Sequence, residues 1–391
     1  MKISISKDKL KEAIDIASRA LSKAVIQVER GHLLFKLTKD TLRVSGTNND
    51  LKAVCVVSGI ECEGDCTFTV DPKMMDKLLT KIDSDNIKMD FDGSNLTLKV
   101  YTSVDEESFN SLQSFPPDKM LTVSNQDKTL NVSHIIKREA LLSALKFSVK
   151  YLEALNEINK VFDFVIINDG IAFAANGRNK MGYFVTQDFK GITNLKIRKN
   201  AVPLFITVLE KISDKMITLG ESDNDIVIRT DNNAVYFSCL RSTVESPKID
   251  LEYLKRDGPY TEIPRIELTK KLSRIGSTRA SMIGAGIETV LSGAGDTAFL
   301  DIALLSNLKS KERLACKRVN DTSTDNMDHF LDYKLFSTEV SSFNSSSLRL
   351  YINEQKAYFK IVEVIKEEEK DIKYLIVGVG AYSKRPKSKV M

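Results

Sequence analysis

The stretch TFTVDPKMMDKLLTKIDSDNIKMDFDGSNLTLKVY, residues 67–101, decides how the fold is read. It opens with the alternation of a strand. A short helix is expected after Asp71-Pro72, because proline suits the first helical turn. Met74, Met75, Leu78, Leu79 and Ile82 then form one apolar stripe at helical spacing. Ile87, Met89 and Phe91 alternate as a strand, Asp92-Gly93 makes a turn, and Leu96, Leu98 and Val100 alternate again. The order is strand, helix, strand, turn, strand.

The same order recurs elsewhere in the chain. In residues 195–240, Leu195-Lys196-Ile197 is a strand, and Val202, Phe205, Ile206, Leu209 and Ile212 mark a helix starting near residue 199. Met216–Leu219, Ile226–Ile228 and Ala234–Phe237 follow as strands. The helix starts lie about 128 residues apart. A weaker third copy occupies residues 331–364, with Leu335, Phe336, Val340 and Phe343 on a short Ser-rich helix. Leu348, Leu350 and Ile352 alternate after it, then Ala357, Phe359 and Ile361. A second kind of helix opens each third, expected near residues 7–23, 137–151 and 266–279. The chain therefore reads as three copies of one α+β unit, each with two helices on antiparallel sheets. Boundaries are expected near residues 127 and 257, giving units 1–127, 128–257 and 258–381 and a basic tail, 382–391.

Composition narrows the function. The 391 residues carry a net charge of +4, so DNA binding would need the positive charge gathered on one surface. No apolar run is long enough to span a bilayer, and Met1–Ser6 alternates like a strand and lacks a signal-peptide core, so a cytoplasmic protein is expected. Five cysteines without framework spacing suit reduced thiols; Cys62 and Cys66 flank a turn but supply too few ligands for zinc. None of the three histidines sits in a catalytic pattern, and no phosphate-binding loop occurs. Gly284-Ala285-Gly286 and Gly293-Ala294-Gly295 read as loops or hairpin ends. These absences point away from an enzyme, and no cofactor or metal is expected.

The charge has a pattern. Lys73, Lys77 and Lys81 fall in line opposite the apolar stripe of their helix. Lys146 and Lys150 line up opposite Leu141 and Leu145, and Lys270, Lys271 and Arg274 oppose Leu268, Leu272 and Ile275. Lys9, Arg19 and Lys23 share a broad face of the first helix, diluted by Glu12 and Asp15. In the fourth, Lys199 and Lys211 are basic and Glu210 acidic. One such face is ordinary for a solvated helix. Recurrence in equivalent helices suits a surface that meets phosphates without reading bases.

The sequence resembles the bacterial DNA polymerase III β subunit, the sliding clamp, from Met1 to about Ala381. The resemblance rests on Leu42-Arg43-Val44-Ser45-Gly46-Thr47-Asn48-Asn49-Asp50-Leu51, on Phe115-Pro116, on Phe173-Ala174-Ala175-Asn176-Gly177-Arg178, on Pro247 and on Tyr374-Leu375-Ile376-Val377. It implies the DNA clamp fold and a head-to-tail homodimeric ring, helices lining the hole, around duplex DNA. It also implies a DNA polymerase and a clamp loader as partners, docked in a peptide pocket at Phe162, Ala175, Gly177, Arg178, Pro247, Leu375, Ile376, Val377 and Val379. The chain departs from the family where it reads Val377-Gly378-Val379-Gly380-Ala381 and continues into the basic tail. Two other classes stay open. One is a clamp-like scaffold that does not encircle DNA. The other is a DNA-processing enzyme using Asp163 with Asp169 or Asp223 with Asp225 on Mg²⁺, although both pairs read better as turns.

Overall fold

The computed structural model describes residues 2–21, 31–48, 50–62, 64–102, 110–117, 130–152, 163–176, 180–222, 224–231, 234–241, 250–254, 258–277, 286–304, 311–320, 327–353, 358–363 and 374–384. The first third holds β1 (Lys2–Ser6), α1 (Lys7–Ser18), β2 (Leu33–Thr38), β3 (Thr41–Thr47), β4 (Leu51–Ser58), β5 (Glu61–Cys62), β6 (Cys66–Val70), α2 (Pro72–Lys81), β7 (Asn86–Asp92), β8 (Thr97–Thr102) and β9 (Asn110–Gln113). The second holds β10 (Val132–Lys137), α3 (Arg138–Ser148), β11 (Phe164–Asn168), β12 (Ile171–Asn176), β13 (Lys180–Thr186), β14 (Leu195–Arg198), α4 (Val202–Lys211), β15 (Met216–Glu221), β16 (Asp225–Thr230) and β17 (Val235–Leu240). The third holds β18 (Tyr260–Pro264), α5 (Arg265–Ser277), β19 (Gly286–Ser292), β20 (Ala298–Leu304), β21 (Lys311–Val319), β22 (Met327–Asp332), α6 (Tyr333–Ser341), β23 (Ser347–Asn353), β24 (Tyr358–Glu363) and β25 (Tyr374–Lys384). One order therefore recurs: strand, helix, strands, helix, three strands. Only β5 is extra among the described residues.

The elements form for the reasons the opening stretch suggests. Asp71 caps α2, its carboxylate accepting from the backbone N–H of Lys73 at 2.8 Å and of Met74 at 3.2 Å, with Pro72 in the first turn. Met75 and Leu79 are buried, while Met74 points out. Phe35, Phe68 and Phe91 stack in series, with ring centres 5.3 and 4.9 Å apart. Each such ring contributes about 1.5–3 kcal/mol by leaving water.

Three helices differ from their expected bounds. α1 ends at Ser18, so Arg19 is its C-cap, and Lys23 lies outside the described residues. α4 starts at Val202, with Pro203 in its first turn, which leaves Lys199 in the turn after β14. α3 stops at Ser148 and tightens into a 3-10 turn, Val149–Tyr151. That tightening breaks the expected Lys146–Lys150 row, because the two no longer stand one α-helical turn apart.

By internal contacts the chain divides into two compact units, residues 1–145 with 195–243, and residues 146–194 with 244–391. The division cuts through the second copy of the repeat. In the first unit, strands run β5-β1-β7-β8-β9 in one sheet and β10-β15-β16-β17-β4-β3-β2-β6 in another. The β17–β4 ladder, from Val235 opposite Cys55 to Cys239 opposite Leu51, merges strands of the first and second copies. In the second unit the order is β11-β12-β13-β25-β22-β19-β20-β21-β18-β23-β24, and β24 returns to pair with β25. Two long strands make this circuit possible. β21 pairs β20 through Lys311–Cys316 and β18 through Lys317–Val319. β25 pairs β13 and β24 near its start and β22 near its end. No described helix is long and apolar enough to cross a membrane.

Candidate functional site

In the first unit the clearest basic row is on α2. Lys73, Lys77 and Lys81 are all exposed, opposite buried Met75 and Leu79. One acid, Asp76, interrupts them, and its carboxylate lies 3.9 Å from Lys11 of α1. Several cations of α1 and α4 are committed to partners. α1 carries Lys7, Lys9 and Lys11 against Asp8, Glu12 and Asp15. The Lys7 ammonium donates to the Ile82 carbonyl at 3.1 Å; Lys9 is exposed. Asp15 takes two cations, Arg19 at 2.7 Å and Lys211 of α4 at 3.1 Å. Partial burial alone would raise the Asp15 carboxyl, but the hydrogen bonds and charges of Lys211 and Arg19 together outweigh it and hold the carboxyl below its ordinary value. α1, α2 and the end of α4 border a cleft of about 1190 Å³ whose acids include Asp8, Glu12, Asp15, Asp76 and Glu210. The acidic cleft beside the basic row went unread in the sequence, because it assembles from helices far apart in the chain. The i,i+4 pair Asp15–Arg19 was its one local signal.

This arrangement leaves Arg19 and Lys211 paired with Asp15. Asp15→Asn is expected to free Arg19 and Lys211, raising affinity for duplex DNA and steepening its salt dependence. The cost in stability should stay below about 1 kcal/mol, because the pairs are partly exposed. It should vanish at acid pH, where the wild-type carboxyl, lowered in the folded state, is protonated as well. Titrating both proteins against DNA at several salt concentrations checks this.

α3 also has a basic residue on its outer face: Lys146 is exposed opposite buried Leu141 and Leu145. In the second unit, α5 buries Leu268, Leu272 and Ile275 and exposes Lys270 and Arg274. Lys271 is half-buried against Glu312 at 3.4 Å, and Arg274 reaches the same carboxylate at 3.7 Å. Lys150 is half-buried, with its amine 3.5 Å from the Ser342 carbonyl. Burial, then neighbouring Lys180, pushes its pKa down. α2 and α5 thus expose basic residues opposite their buried faces, whereas Lys150 and Arg19 turn to internal partners.

The expected peptide pocket is partly within view. Phe162, Gly177, Arg178 and Pro247 lie outside the described residues. Ala175 is buried, in a cluster with Phe164, Ile166, Phe173, Tyr183 and Val362, against which Tyr253, Leu254 and Tyr358 pack. Ala175 stands opposite Met181 and Met181 opposite Val379, one row across β12, β13 and β25. Leu375 and Ile376 pair with Val185 and Phe184. Val377–Gly380 are bonded on both edges, to β13 and to β24. A peptide therefore cannot join this part of β25 by backbone pairing, and would meet side chains of one sheet face. The aromatic series Tyr183, Tyr253 and Tyr358, with ring centres 6.0 and 4.9 Å apart, was missed in the sequence because its members lie on separate elements.

One member of each rival acidic pair takes a structural role. Asp169 sits in the β11–β12 turn at φ 38 and accepts from the Gly191 N–H at 3.2 Å. Asp225 is not in a turn: it opens β16, buried, with its carboxylate 2.8 Å from Lys52. Asp223 is outside the described residues. Among the described residues no three His, Cys, Asp or Glu gather as a metal site. Cys62 ends β5 and Cys66 opens β6. Burial pushes the Cys66 thiol up to about 11 and the Cys239 thiol up to about 12, so both stay protonated at neutral pH.

The three-fold recurrence of two helices on antiparallel sheets defines the DNA clamp fold, and solved structures bear this out across the chain. The DNA polymerase III subunit beta of Pseudomonas aeruginosa superposes with a TM-score of 0.79, at 13% identity, over 98% of this chain and 100% of that one. The beta subunit of Streptococcus pyogenes DNA polymerase does so at 0.78 and 12% identity, over 98% and 100%. A putative DNA polymerase III beta subunit of Eubacterium rectale gives 0.77 and 14% identity, over 98% and 99%. No family model matches the sequence, and a search of curated proteins finds no similar sequence.

Proposed function

We propose that this protein is a DNA sliding clamp, a processivity factor that encircles duplex DNA and tethers a replicative polymerase. The observation that carries the reading is the exposed lysine row of α2, with its counterpart on α5, in a chain that has the clamp fold from end to end. Cations of this kind attract phosphates without reading sequence, and loose contacts let a ring slide. The ring supplies retention by topology, and tethering raises the local concentration of the polymerase. The protein acts as a scaffold rather than an enzyme, in the cytoplasm, and a separate clamp loader opens it. Its domains are residues 1–127, 128–257 and 258–384, the last extended past the expected boundary at 381 because Tyr382–Lys384 continue β25 and pair with β22. Two chains join head to tail. The free edges of β9 and of Lys311–Cys316 in β21, each paired on one side among the described residues, are suited to that joint. The partner peptide docks around Ala175 and Leu375–Val379.

The test combines mass, shape and topology. Light scattering should give the mass of two chains, and electron microscopy should show rings. Protein loaded on nicked circular DNA by its cognate loader should stay bound until the circle is cut. A monomer that binds replication proteins would support the non-encircling scaffold instead. Retention unaffected by cutting would overturn the topological mechanism.

A further inference from the structure

Tyr151 ends the 3-10 turn after α3 and is fully buried. Its hydroxyl lies 2.6 Å from the Glu339 carboxyl of α6, at Oε2. Glu339 is itself fully buried, and its other oxygen, Oε1, has no hydrogen-bond partner among the described residues. Two lysines border the pair, yet neither makes an ion pair with it among the described residues. The Lys180 ammonium, on β13, donates to the Lys150 carbonyl at 2.8 Å and stands 5.2 Å from the centre of the Tyr151 ring. The Lys150 amine is directed to the Ser342 carbonyl. The Ser342 hydroxyl donates to the Thr338 carbonyl at 2.8 Å.

A carboxylate in this setting would be a buried charge whose second oxygen lacks a donor, which is costly. The neutral acid avoids burying the charge, which is the larger part of that cost. We propose that Glu339 is held as a neutral acid against Tyr151 and that this uncharged, water-free contact is a proton-dependent latch fastening α6 to the turn that follows α3, weakened when a charge must form there. The two residues belong to the third and second copies of the repeat, inside one compact unit. The latch is a property of the chain itself and does not depend on DNA. Burial pushes the Glu339 carboxyl up to about 8, outweighing the Tyr151 hydrogen bond and the attraction of Lys180 and Lys150.

In the unfolded chain a glutamate releases its proton near pH 4.3. Between that pH and about 8 the folded protein holds one proton more, so stability falls as pH rises across the window. Below the window the favourable contribution is complete; above it the contribution is lost.

Thermal unfolding of the intact chain from about pH 5 to about pH 9 tests the latch. The wild-type melting temperature should decline up to about pH 8, once the titration of other groups common to both proteins is subtracted. Glu339→Gln, neutral and of the same shape, should lose that decline and melt above the wild type at the alkaline end. Hydrogen exchange at Val149–Leu152, corrected for intrinsic rate, should quicken above pH 8 in the wild type only. Tyr151→Phe keeps the ring but removes the hydroxyl that favours ionisation, so its decline should run to higher pH. The same decline in Glu339→Gln as in the wild type overturns the latch. If Glu339→Gln fails to fold, an unchanged pH profile in Tyr151→Phe overturns it instead.

Discussion

Replacing Lys73, Lys77, Lys81 and Lys270 together by glutamate is expected to abolish stable association with duplex DNA and to leave the fold intact. All four side chains are exposed, on α2 and α5, away from buried Met75, Leu79, Leu268 and Leu272. Exposed substitutions of this kind usually cost within about 0.5 kcal/mol each. Each phosphate contact adds about 0.9 to the log–log slope of affinity against salt, so losing four should flatten it by roughly 3.6. Reversing the charges also adds repulsion, which lowers affinity further at low salt. The same treatment of Arg19 and Lys150 should matter less, since Asp15 and the Ser342 carbonyl already engage them. The measurement is binding across a salt series, with circular dichroism as the check on folding. A quadruple variant with the wild-type slope would show that these rows do not face DNA.

Gly182→Ala should be among the most damaging single-methyl changes in the chain. Gly182 lies mid-strand in β13, opposite Ala174 on one side and Gly378 on the other. A side-chain carbon there would overlap the ring of Tyr151, whose Cε2 and Cδ2 occupy that space. The ring cannot step aside easily. It is fully buried, held by its hydroxyl to Glu339 and packed near Phe147, with ring centres 5.0 Å apart. Forcing volume into a packed core costs typically 1–3 kcal/mol, and with this overlap the loss should reach about 3 kcal/mol. Urea unfolding measures it as a lower midpoint at unchanged slope. Tyr151→Leu alone should also destabilise the protein. Added to Gly182→Ala it should restore part of the loss, because the smaller side chain yields the space; contacting residues are non-additive in this way. A neutral Gly182→Ala, or strict additivity of the pair, would mean that the ring and the strand are not in conflict.

Local chemistry explains why some features were legible in the sequence. The helix after Asp71-Pro72 was readable because its cap, proline and apolar stripe act within a few residues of one another. The row Lys73, Lys77, Lys81 was readable because α-helical spacing carries it onto one face and α2 stays α-helical throughout. The row Lys146–Lys150 misled for the converse reason. Its helix tightens at Val149, and Lys150 finds a carbonyl in α6's continuation, nearly two hundred residues away in the chain. Asp225 misled likewise. A pair of aspartates reads as a turn, whereas the partner that draws one of them into a strand, Lys52, comes from another copy of the repeat.

The amino-acid sequence by itself determined the repeating order of strands and helices, the apolar faces of α1, α2, α4 and α5, and the outward position of the α2 lysines. Periodicity and end signals act over one or two turns and need no distant partner. Tertiary structure alone decided the rest. It set which strands of neighbouring copies merge, as β4 does with β17 and β13 with β25, because a ladder depends on edges left free by the rest of the fold. It set which cations stay available and which are neutralised, because Asp15 and Glu312 reach theirs from separate elements. It also buried Glu339 beside Tyr151: an acid on a Ser-rich helix looks solvent-facing until the packing around it removes the water, and with the water its charge.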